Sequence, residues 1–413
     1  MIPVETGSTA LTRGENCVEM SAVNRRSLFW PTVLAYGFRP FFLLAGLQAT
    51  LFIPVWLLIL LGDGGFTPVL SPLAWHAHEM LFGFIAAALA GFLLTAIPSW
   101  TGQRGFAGAP LLLLVLLWMA GRLVTTLQLD LGPVVVAIVD LAFLPALALT
   151  VLPALIRSGN RRNLVFIGIL AALFTANLHF HLVGATRVDP LQFAINVVLL
   201  MVALVGGRIL PAFTSSGLKQ RGIDIKIKRY PLLDVSALLA VFAVLLVDVL
   251  LPATILAAVT AALAAILLAL RLVRWQGHRT LRDPILWVLH MAYAWLPVGL
   301  ALKAAWLFGA PIPQASWLHA LTSGAFSIMI LAVMSRAALG HTGRKLVATG
   351  PLVAAYWLVG AAALVRVFGP MLAGDAWRLW MIASGALWTL GFLLFVVVFA
   401  PVLCRPRADG RAG

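Results

Sequence analysis

Cysteine is nearly absent from the sequence. The 413 residues include only Cys17 and Cys404, which lie near opposite ends of the chain. Thiolate metal sites and disulfide frameworks need several cysteines at short spacings, so neither is expected here. Charge is also scarce, because Asp, Glu, Lys and Arg together make up 10% of the residues. A soluble fold of this composition would leave its apolar surface uncovered.

Short alternating strands and a cleavable signal pattern are missing too. The lack of alternating strands argues against a membrane barrel. The first apolar run follows roughly thirty mixed polar residues, which does not match a secretory signal. Instead, 62% of the residues are hydrophobic, and they recur in runs of about 20, the length that crosses a bilayer as a helix. The predicted fold class is an all-α polytopic membrane protein.

Proline, glycine and aspartate separate twelve apolar runs. The predicted spans are Gly37–Leu61, Trp75–Ser99, Ala109–Leu127, Gly132–Ile156, Leu164–Gly184, Pro190–Phe213, Leu232–Leu250, Ala253–Val273, Pro284–Phe308, Trp317–Leu339, Pro351–Phe368 and Trp377–Leu403. They form one transmembrane domain over residues 32–403, in contact with membrane lipid, between tails of residues 1–31 and 404–413.

The net charge of +15 does not indicate nucleic-acid binding, because the basic residues form no single patch. They recur in the tails and every second loop, at Arg13, Arg25, Arg26, Arg104, Arg157, Arg161, Arg162, Lys219, Arg221, Lys226, Lys228, Arg229, Arg271, Arg274, Arg279, Arg282, Arg344, Lys345, Arg405, Arg407 and Arg411. The alternate loops hold almost none beyond Arg187 and Arg378. Because cytoplasmic loops carry the excess of Lys and Arg, we expect both termini in the cytoplasm.

Histidines are the main candidates for chemistry. Of the eight, only His278 lies in a plainly solvated loop. The topology places five at the outer ends of the second, fifth and tenth spans: His76, His78, His179, His181 and His319. A single histidine at a helix end is more often a hydrogen-bonded interfacial residue than a ligand. Five in one layer, without cysteine, favour binding of haem iron, copper or zinc.

The two H-x-H pairs limit how one metal can be bound. Residues two apart on a regular helix point about 200° away from each other. His76 and His78 can therefore share one ion only if the helix start is unwound; otherwise they face two sites. A haem beside a copper, or two haems, would use that divergence.

Charged side chains within the spans are further candidates, since they are rare at this depth and usually functional. Glu79 lies three residues after His76 on the same helix face, where it can orient an imidazole, carry protons or pair with an arginine. The basic candidates are Arg39, Arg122, Arg208, Arg336 and Lys303. Their arginines can hold haem propionates by paired hydrogen bonds, but pairing with Asp140 or snorkelling to the interface explains them equally well.

An internal repeat relates the second span to the tenth. Aligning His78 with His319 also aligns Gly83 with Gly324, and residues 101–102 with 342–343, which are Thr-Gly in both. The sixth span ends in a similar Pro-x-x-Thr pattern at residues 211–214. The sequence therefore predicts a period of four helices, repeated three times.

Five segments carry a resemblance to a known family. They are GFRPFFLLAG at Gly37–Gly46, WHAHEMLFGF at Trp75–Phe84, GFLLTAIPSWTG at Gly91–Gly102, GGRILPAFT at Gly206–Thr214 and HALTSGAFSIMILAVMSRAALGHTGR at His319–Arg344. Together they make the chain resemble the NnrS family of bacterial membrane proteins. The resemblance implies a haem- and copper-containing protein of the nitric oxide response, which protects against nitrosative stress.

The architecture is also similar to that of heme–copper oxidases and their nitric oxide reductase relatives. Those proteins have a twelve-helix core in three arcs of four and hold a low-spin haem between histidines of the second and tenth helices, where His78 and His319 lie here. The chain departs from them because its seventh span lacks a histidine pair and its sixth lacks H-x-x-x-Y. The likeness therefore supports a haem within the bundle more than it supports a particular reaction.

The resulting hypothesis is nitric oxide reduction or detoxification at a haem b centre near the periplasmic face, in the manner of an oxidoreductase. His78 and His319 hold one haem, while His76, His179 and His181 offer ligands for copper or a second haem. Glu79 supplies or orients protons. His290 and His341 hold an inner haem that takes electrons from quinol or another donor, and Arg122, Arg208 and Arg336 contact the cofactor.

Two other classes of function stay open. A haem-based sensor or sink would bind nitric oxide without turnover. A transporter of metal ions or metal-nitrosyl species would use histidines as transient ligands, and its repeats would often be two of six helices. The clustering of histidines near one face argues against the transporter.

Overall fold

The computed structural model describes residues 31–62, 65, 67–184, 189–225, 227–228 and 230–411. Within them twelve helices are long and apolar enough to cross a membrane, and there is no strand, so the predicted all-α polytopic fold is confirmed. We number these helices in order: α1 Phe38–Leu61, α2 Pro72–Thr101, α3 Ala109–Thr126, α4 Pro133–Arg157, α5 Arg161–Leu182, α6 Asp189–Gln220, α7 Pro231–Leu250, α8 Ile255–Arg274, α9 Pro284–Leu307, α10 Gln314–His341, α11 Gly350–Leu372 and α12 Gly374–Cys404. Predicted features at Cys17, Arg13, Arg25, Arg26, Arg187, Lys226 and Arg229 lie outside the described residues.

Several helices extend beyond the apolar run that predicted them. α2 begins at Pro72, three residues before Trp75, and α6 continues to Gln220, beyond Phe213. In these helices the backbone hydrogen bonds continue past the apolar run into residues of lower hydropathy. α2 ends where Gly102 adopts a left-handed conformation (φ 67°) and its N–H donates to the Pro98 carbonyl. Glycine takes this conformation without the strain that a Cβ would add.

The helices that carry the outer histidines lie at the centre of the bundle. Within their apolar windows, α2 is 83% buried and α10 is 72% buried, whereas α7 is only 28% buried. α2, α6 and α10 face one another around a small apolar cavity of about 70 Å³. The three helices that the repeat relates therefore share the core, and α7 presents most of its surface outward.

Both central helices contain a π-helical segment. The segments are Glu79–Ile85 and Ala320–Phe326, and each begins one residue after a histidine that the repeat aligns. Side chains bond carbonyls within them: the Trp118 indole N–H donates to Gly83 O (3.1 Å), and the Ser327 hydroxyl donates to Thr322 O (2.7 Å). Short π segments of this kind occur often at functional sites.

Glycine at the second π segment is required by close packing. A Cβ on Gly324 would lie 2.5 Å from the Trp295 ring, whereas a Cβ on Gly168 of α5 would meet no atom within 4 Å. We expect Gly324→Ala to destabilise the protein by about 1–3 kcal/mol through overpacking. Gly168→Ala is expected to be neutral or stabilising by up to about 1 kcal/mol, because alanine favours the helix. Thermal unfolding of both variants in detergent checks this, and equal melting temperatures would contradict it.

The described part of the C-terminal tail is bonded to the bundle. The Arg407 guanidinium donates to His341 O (2.6 Å), and the Ala408 N–H donates to Thr342 O (2.9 Å). Arg407 also pairs with Asp409 (2.6 Å), and this hydrogen bond lowers the pKa of the Asp409 carboxyl to about 2. The carboxylate therefore stays ionised near neutral pH, and the pair that orders Arg407 is maintained.

Candidate functional site

The two histidines at the start of α2 face different surroundings. Residues Pro72–His78 form a regular α-helix. The side chains of His76 and His78, two residues apart, therefore point in different directions. The His76 ring stacks on Trp56, with centroids 4.5 Å apart and planes 17° apart. His78 is fully buried among polar side chains and stacks on Phe180, with centroids 5.1 Å apart. The pair therefore contributes to two separate sites.

His76 lines a cavity of about 250 Å³ at the end of the bundle opposite the basic loops. We call it the histidine cavity and define it by His76, His319 and Arg366, which all line it. α1, α2, α6, α10, α11 and α12 enclose it, and most of the remaining wall is apolar, including Met80 and Trp388. The histidine that shares this cavity with His319 is therefore His76, whereas the sequence analysis paired His319 with His78.

His319 is held in an orientation that suits a metal ligand. Its Nδ1 lies 2.7 Å from the carbonyl oxygen of Ala315, one helical turn earlier. Because a carbonyl can only accept, Nδ1 carries the proton and Nε2 keeps its lone pair. A hydrogen bond from one ring nitrogen to a backbone carbonyl is the usual support of a histidine that binds a metal through the other nitrogen.

Arg366 is the third basic side chain that lines the cavity, and it was not predicted from the sequence. It lies in the interior of α11, half-buried, and is close enough to His76 and His319 to interact with both electrostatically. Its guanidinium makes no hydrogen bond or ion pair with any described residue. An arginine inside a membrane span needs an anionic or polar partner, so an anion bound in the cavity would supply one. The sequence feature that could have indicated Arg366 is a single arginine within the apolar run of α11.

His78 belongs to a second site, which we call the carboxylate network and define by His78, Glu79, Arg122, Asp140, Asn177 and His181. Its centre is Asp140 of α4, whose side chain is fully buried. Asp140 Oδ2 lies 3.0 Å from His78 Nε2 and 3.0 Å from His181 Nε2, and Oδ1 forms a short ion pair with Arg122. Four helices, α2, α3, α4 and α5, thus supply one buried polar cluster.

Glu79 completes the network on the other side of the His78 ring. Its Oε1 lies 3.2 Å from His78 Nδ1 and 3.3 Å from the Arg122 guanidinium, and it accepts a hydrogen bond from the Thr125 hydroxyl (2.8 Å). Oε2 accepts a hydrogen bond from the Gln48 amide (2.9 Å). Glu79 therefore contacts both an imidazole and an arginine, and its role toward a metal-binding histidine stays a prediction.

The charges of the network can balance within it. Both ring nitrogens of His78 contact carboxylates, and both contacts are hydrogen bonds only when the imidazole carries both protons. An imidazolium and the Arg122 guanidinium then neutralise Glu79 and Asp140. Breaking such a buried arrangement leaves an uncompensated charge, which is strongly unfavourable.

The same network offers a set of metal ligands. Ligand atoms of His78, Asp140 and His181 all lie within 4.8 Å of one another. A cation bound there would lie beside the Arg122 guanidinium and would have to displace the proton from His78. The hydrogen-bonded arrangement therefore favours a proton-holding role over metal binding. Asn177 was missed by the sequence analysis, although it lies one turn before His181 on the same helix face.

His179 lies apart from both sites. It is exposed at the end of α5, and no side-chain hydrogen bond or ring contact joins its imidazole to the described residues. His181, two residues later, points into the carboxylate network. The H-x-H divergence therefore applies to α5 as it does to α2, and the structure brings only one member of the pair into the site.

The inner histidines contact different groups from each other. His290 Nε2 bonds to the Thr214 hydroxyl (2.8 Å), and its buried Nδ1 has no partner among the described residues. His341 packs against Tyr36 and Phe38, with ring centroids 6.3 and 5.7 Å away. No ring contact or hydrogen bond joins these two histidines within the described chain. Their shared inner haem stays a prediction.

The three arginines that were predicted to contact the cofactor lie in different parts of the structure. Arg122 lies in the carboxylate network. Arg208 donates to the Asn163 side chain (2.9 Å), and Arg336 stacks over Phe213, 4.1 Å from the ring centroid. Arg208 and Arg336 therefore do not approach the histidine cavity, and Arg366 is the arginine that lines it.

Comparison with known proteins places the chain in a family. The protein-family model described as NnrS protein matches residues 32–407. The chain belongs to the NnrS family. The match covers all twelve helices, so the NnrS assignment includes both the histidine cavity and the carboxylate network. No curated protein matches the sequence.

Proposed function

We propose that the protein handles nitric oxide, reducing or detoxifying it at a haem held in the histidine cavity. The observation that carries the proposal is the meeting of His76, His319 and Arg366 in one largely apolar cavity. Membership of the NnrS family supports a role in the nitric oxide response. Nitric oxide is small and apolar, which suits a cavity that opens within a membrane bundle.

The residues of the cavity fit a haem in three respects. His76 and His319 come from α2 and α10 and are the two imidazoles that would hold the haem iron. Arg366 has no anionic partner in the described chain, and a haem propionate would provide one through charge-assisted hydrogen bonds. The apolar wall suits the macrocycle. When bound, the haem supplies an iron that can bind nitric oxide and change oxidation state.

The carboxylate network would serve the same reaction by holding protons. Reduction of nitric oxide consumes protons and electrons, and the network lies on the other side of α2 from the cavity. Its protonated His78 lies between Glu79 and Asp140, so a proton can move along hydrogen bonds that already exist. A copper ion would have ligands in His78, Asp140 and His181 only after displacing the proton of His78.

The proposed topology follows from the described loops and tails. Arg157 ends α4, and Arg104, Arg344 and Arg405 follow the ends of α2, α10 and α12 on the same side of the bundle, so this side would face the cytoplasm. Both termini would then be cytoplasmic, in a bacterial inner membrane. The histidine cavity would open toward the periplasmic half, and quinol or another donor would have to deliver electrons to it.

The functional test is nitric oxide consumption by the purified protein. With a chemical reductant present, sustained consumption beyond one equivalent per haem supports an enzyme. Consumption that stops at one equivalent supports a sink or sensor instead. The absence of any nitric oxide binding by haem-loaded protein would contradict the proposal.

Arg366 provides a test that is specific to the cavity. Replacing Arg366 with glutamine removes the charge that would pair with a propionate, and we expect haem retention to fall about tenfold or more. Arg366→Lys keeps the charge and should retain most of the haem. Arg378→Gln, an exposed arginine beyond α11, is the control. The measurement is the haem content per protein after purification. An unchanged haem content in Arg366→Gln would contradict the pairing of Arg366 with a propionate.

A further inference from the structure

A second large cavity lies at the other end of the bundle from the histidine cavity. Its volume is about 610 Å³, and α2, α5, α6, α7 and α8 enclose it. Five basic side chains line it: Arg162, Arg208, Lys228, Arg271 and Arg274. We call it the basic cavity. Among the described residues, Asp234 is the single carboxylate in its lining.

That carboxylate is already engaged. Arg271 is buried and donates to Asp234 (2.6 Å), to the Ala203 carbonyl (2.9 Å) and to the Tyr293 hydroxyl (3.1 Å). A Cβ on Gly207 would lie 1.9 Å from this guanidinium, so the glycine leaves the space that Arg271 occupies. The Asp234–Arg271 pair therefore forms a fixed wall of the cavity and leaves the other four cations to be balanced.

The four remaining cations have only neutral partners in the described chain. Arg208 donates to the Asn163 amide oxygen (2.9 Å), and Arg274 donates to the Tyr230 hydroxyl (3.2 Å). Lys228 lies over the Tyr230 ring, 5.3 Å from its centroid, and Arg162 is exposed. No ion pair joins any of the four to a described residue. Like charges gathered around one space repel one another unless an anion lies between them.

Most of the other lining residues are apolar, and the cavity lies among helix ends. Trp100, Phe166 and Leu238 contribute to the wall. Helix ends surround the cavity, since α5 begins at Arg161, α7 begins at Pro231 and α8 ends at Arg274. A ligand there would meet cations at headgroup level and apolar side chains toward the membrane interior. Basic pockets between transmembrane helices on the cytoplasmic side bind anionic lipid headgroups in this way.

We propose that the basic cavity binds the phosphate headgroup of an anionic phospholipid. Arg208, Arg274, Arg162 and Lys228 would surround the phosphate, and the acyl chains would extend along the apolar wall. Free phosphate shares the headgroup chemistry but makes no use of that wall. A bound lipid would join α5 and α6 to α7 and α8, and so stabilise the bundle at this end.

Native mass spectrometry of the delipidated full-length protein tests the proposal. Cardiolipin, phosphatidylglycerol and phosphatidylcholine are each added back to the protein. A parallel thermal-unfolding series compares the stabilisation by these lipids with that by inorganic phosphate. We expect retention of the two anionic lipids and little phosphatidylcholine. We expect the double variant Arg208→Gln/Arg274→Gln to lower anionic-lipid retention about tenfold or more, because two cations near the headgroup are lost.

Two further variants separate a local effect from misfolding. Arg208→Lys/Arg274→Lys keeps both charges and should retain the lipid, while Arg378→Gln removes an exposed arginine at the other face and should change nothing. Equal lipid retention by the wild type and the glutamine variant would overturn the proposal. Stabilisation by inorganic phosphate as large as that by anionic lipid would overturn the choice of a lipid. Loss of retention in the lysine variant as well would show that the charge is not responsible.

Discussion

Replacing His319 with alanine is expected to lower the haem content of the purified protein about tenfold or more. The expected loss is large because His319 supplies one of the two imidazoles that line the cavity, and its Nδ1–Ala315 bond holds it in place. Weakening even the outer partners of a metal-binding histidine typically lowers affinity by about 10–100-fold, so loss of the ligand itself should do at least as much. Haem per protein, measured by reduced absorption bands, gives the result.

His278→Ala is the matched control, since this histidine is exposed in the loop after α8. Its haem content should equal that of the wild type. Normal haem bands in the His319→Ala protein would remove His319 from the haem site.

Substitution of His76 and of His78 in turn tests which histidine of α2 belongs to the proposed haem site. The geometry predicts that His76→Ala loses haem as His319→Ala does, because both line the histidine cavity. His78→Ala should keep the haem band and lose nitric oxide turnover or stability, since His78 contacts carboxylates on the other side of α2. The opposite pattern would support the pairing of His78 with His319 that the likeness to heme–copper oxidases suggested.

Replacing Asp140 with asparagine should destabilise the protein by about 3–5 kcal/mol, the usual cost of removing one partner of a buried ion pair. Asp140 accepts hydrogen bonds from His181, Asn177 and the Arg122 guanidinium. An amide keeps the shape of the carboxylate but removes the charge that neutralises Arg122. Unfolding of the detergent-solubilised protein by heat or denaturant measures the change.

Two controls make the result specific to the network. Asp375→Asn changes an exposed carboxylate at the start of α12 and should have an effect within about 0.5 kcal/mol. Adding Arg122→Gln to Asp140→Asn removes both charges, so the double variant should be less destabilised than the sum of the single variants, by about 0.5–3 kcal/mol. Additive effects, or a loss below about 1 kcal/mol as for an exposed pair, would show that the network is not the buried unit described.

Much of the architecture could be predicted because membrane folding restricts the choices. Long apolar runs and turn residues predicted twelve spans, and the described part of the chain has twelve helices long and apolar enough to cross a membrane. The fixed 100° turn per residue also predicted that an H-x-H pair divides between two sites unless the helix unwinds. His76 and His78 divide in this way, whereas of His179 and His181 only His181 enters a site.

The pairing across helices could not be predicted from spacing. Aligning the repeats made His78 equivalent to His319, and the π segments do begin one residue after each. The cavity nevertheless takes His76 from α2, because its partner is set by how α2 and α10 are rotated about their axes. No one-dimensional pattern contains that rotation. Arg366 was missed for a related reason. Its proposed role depends on the lack of a carboxylate partner for its guanidinium among the described residues, and the linear sequence does not show which side chains are neighbours.

The most direct test of the proposed function is an optical spectrum of the purified protein, produced with ample haem supply. Spectra are recorded oxidised and reduced, and iron and copper are measured in the same sample. The proposal predicts sharp reduced haem bands with at least one iron per chain, and a shift of those bands on addition of nitric oxide. A featureless visible spectrum from folded protein would contradict a haem in the histidine cavity, and reversible metal transport would then become the better hypothesis.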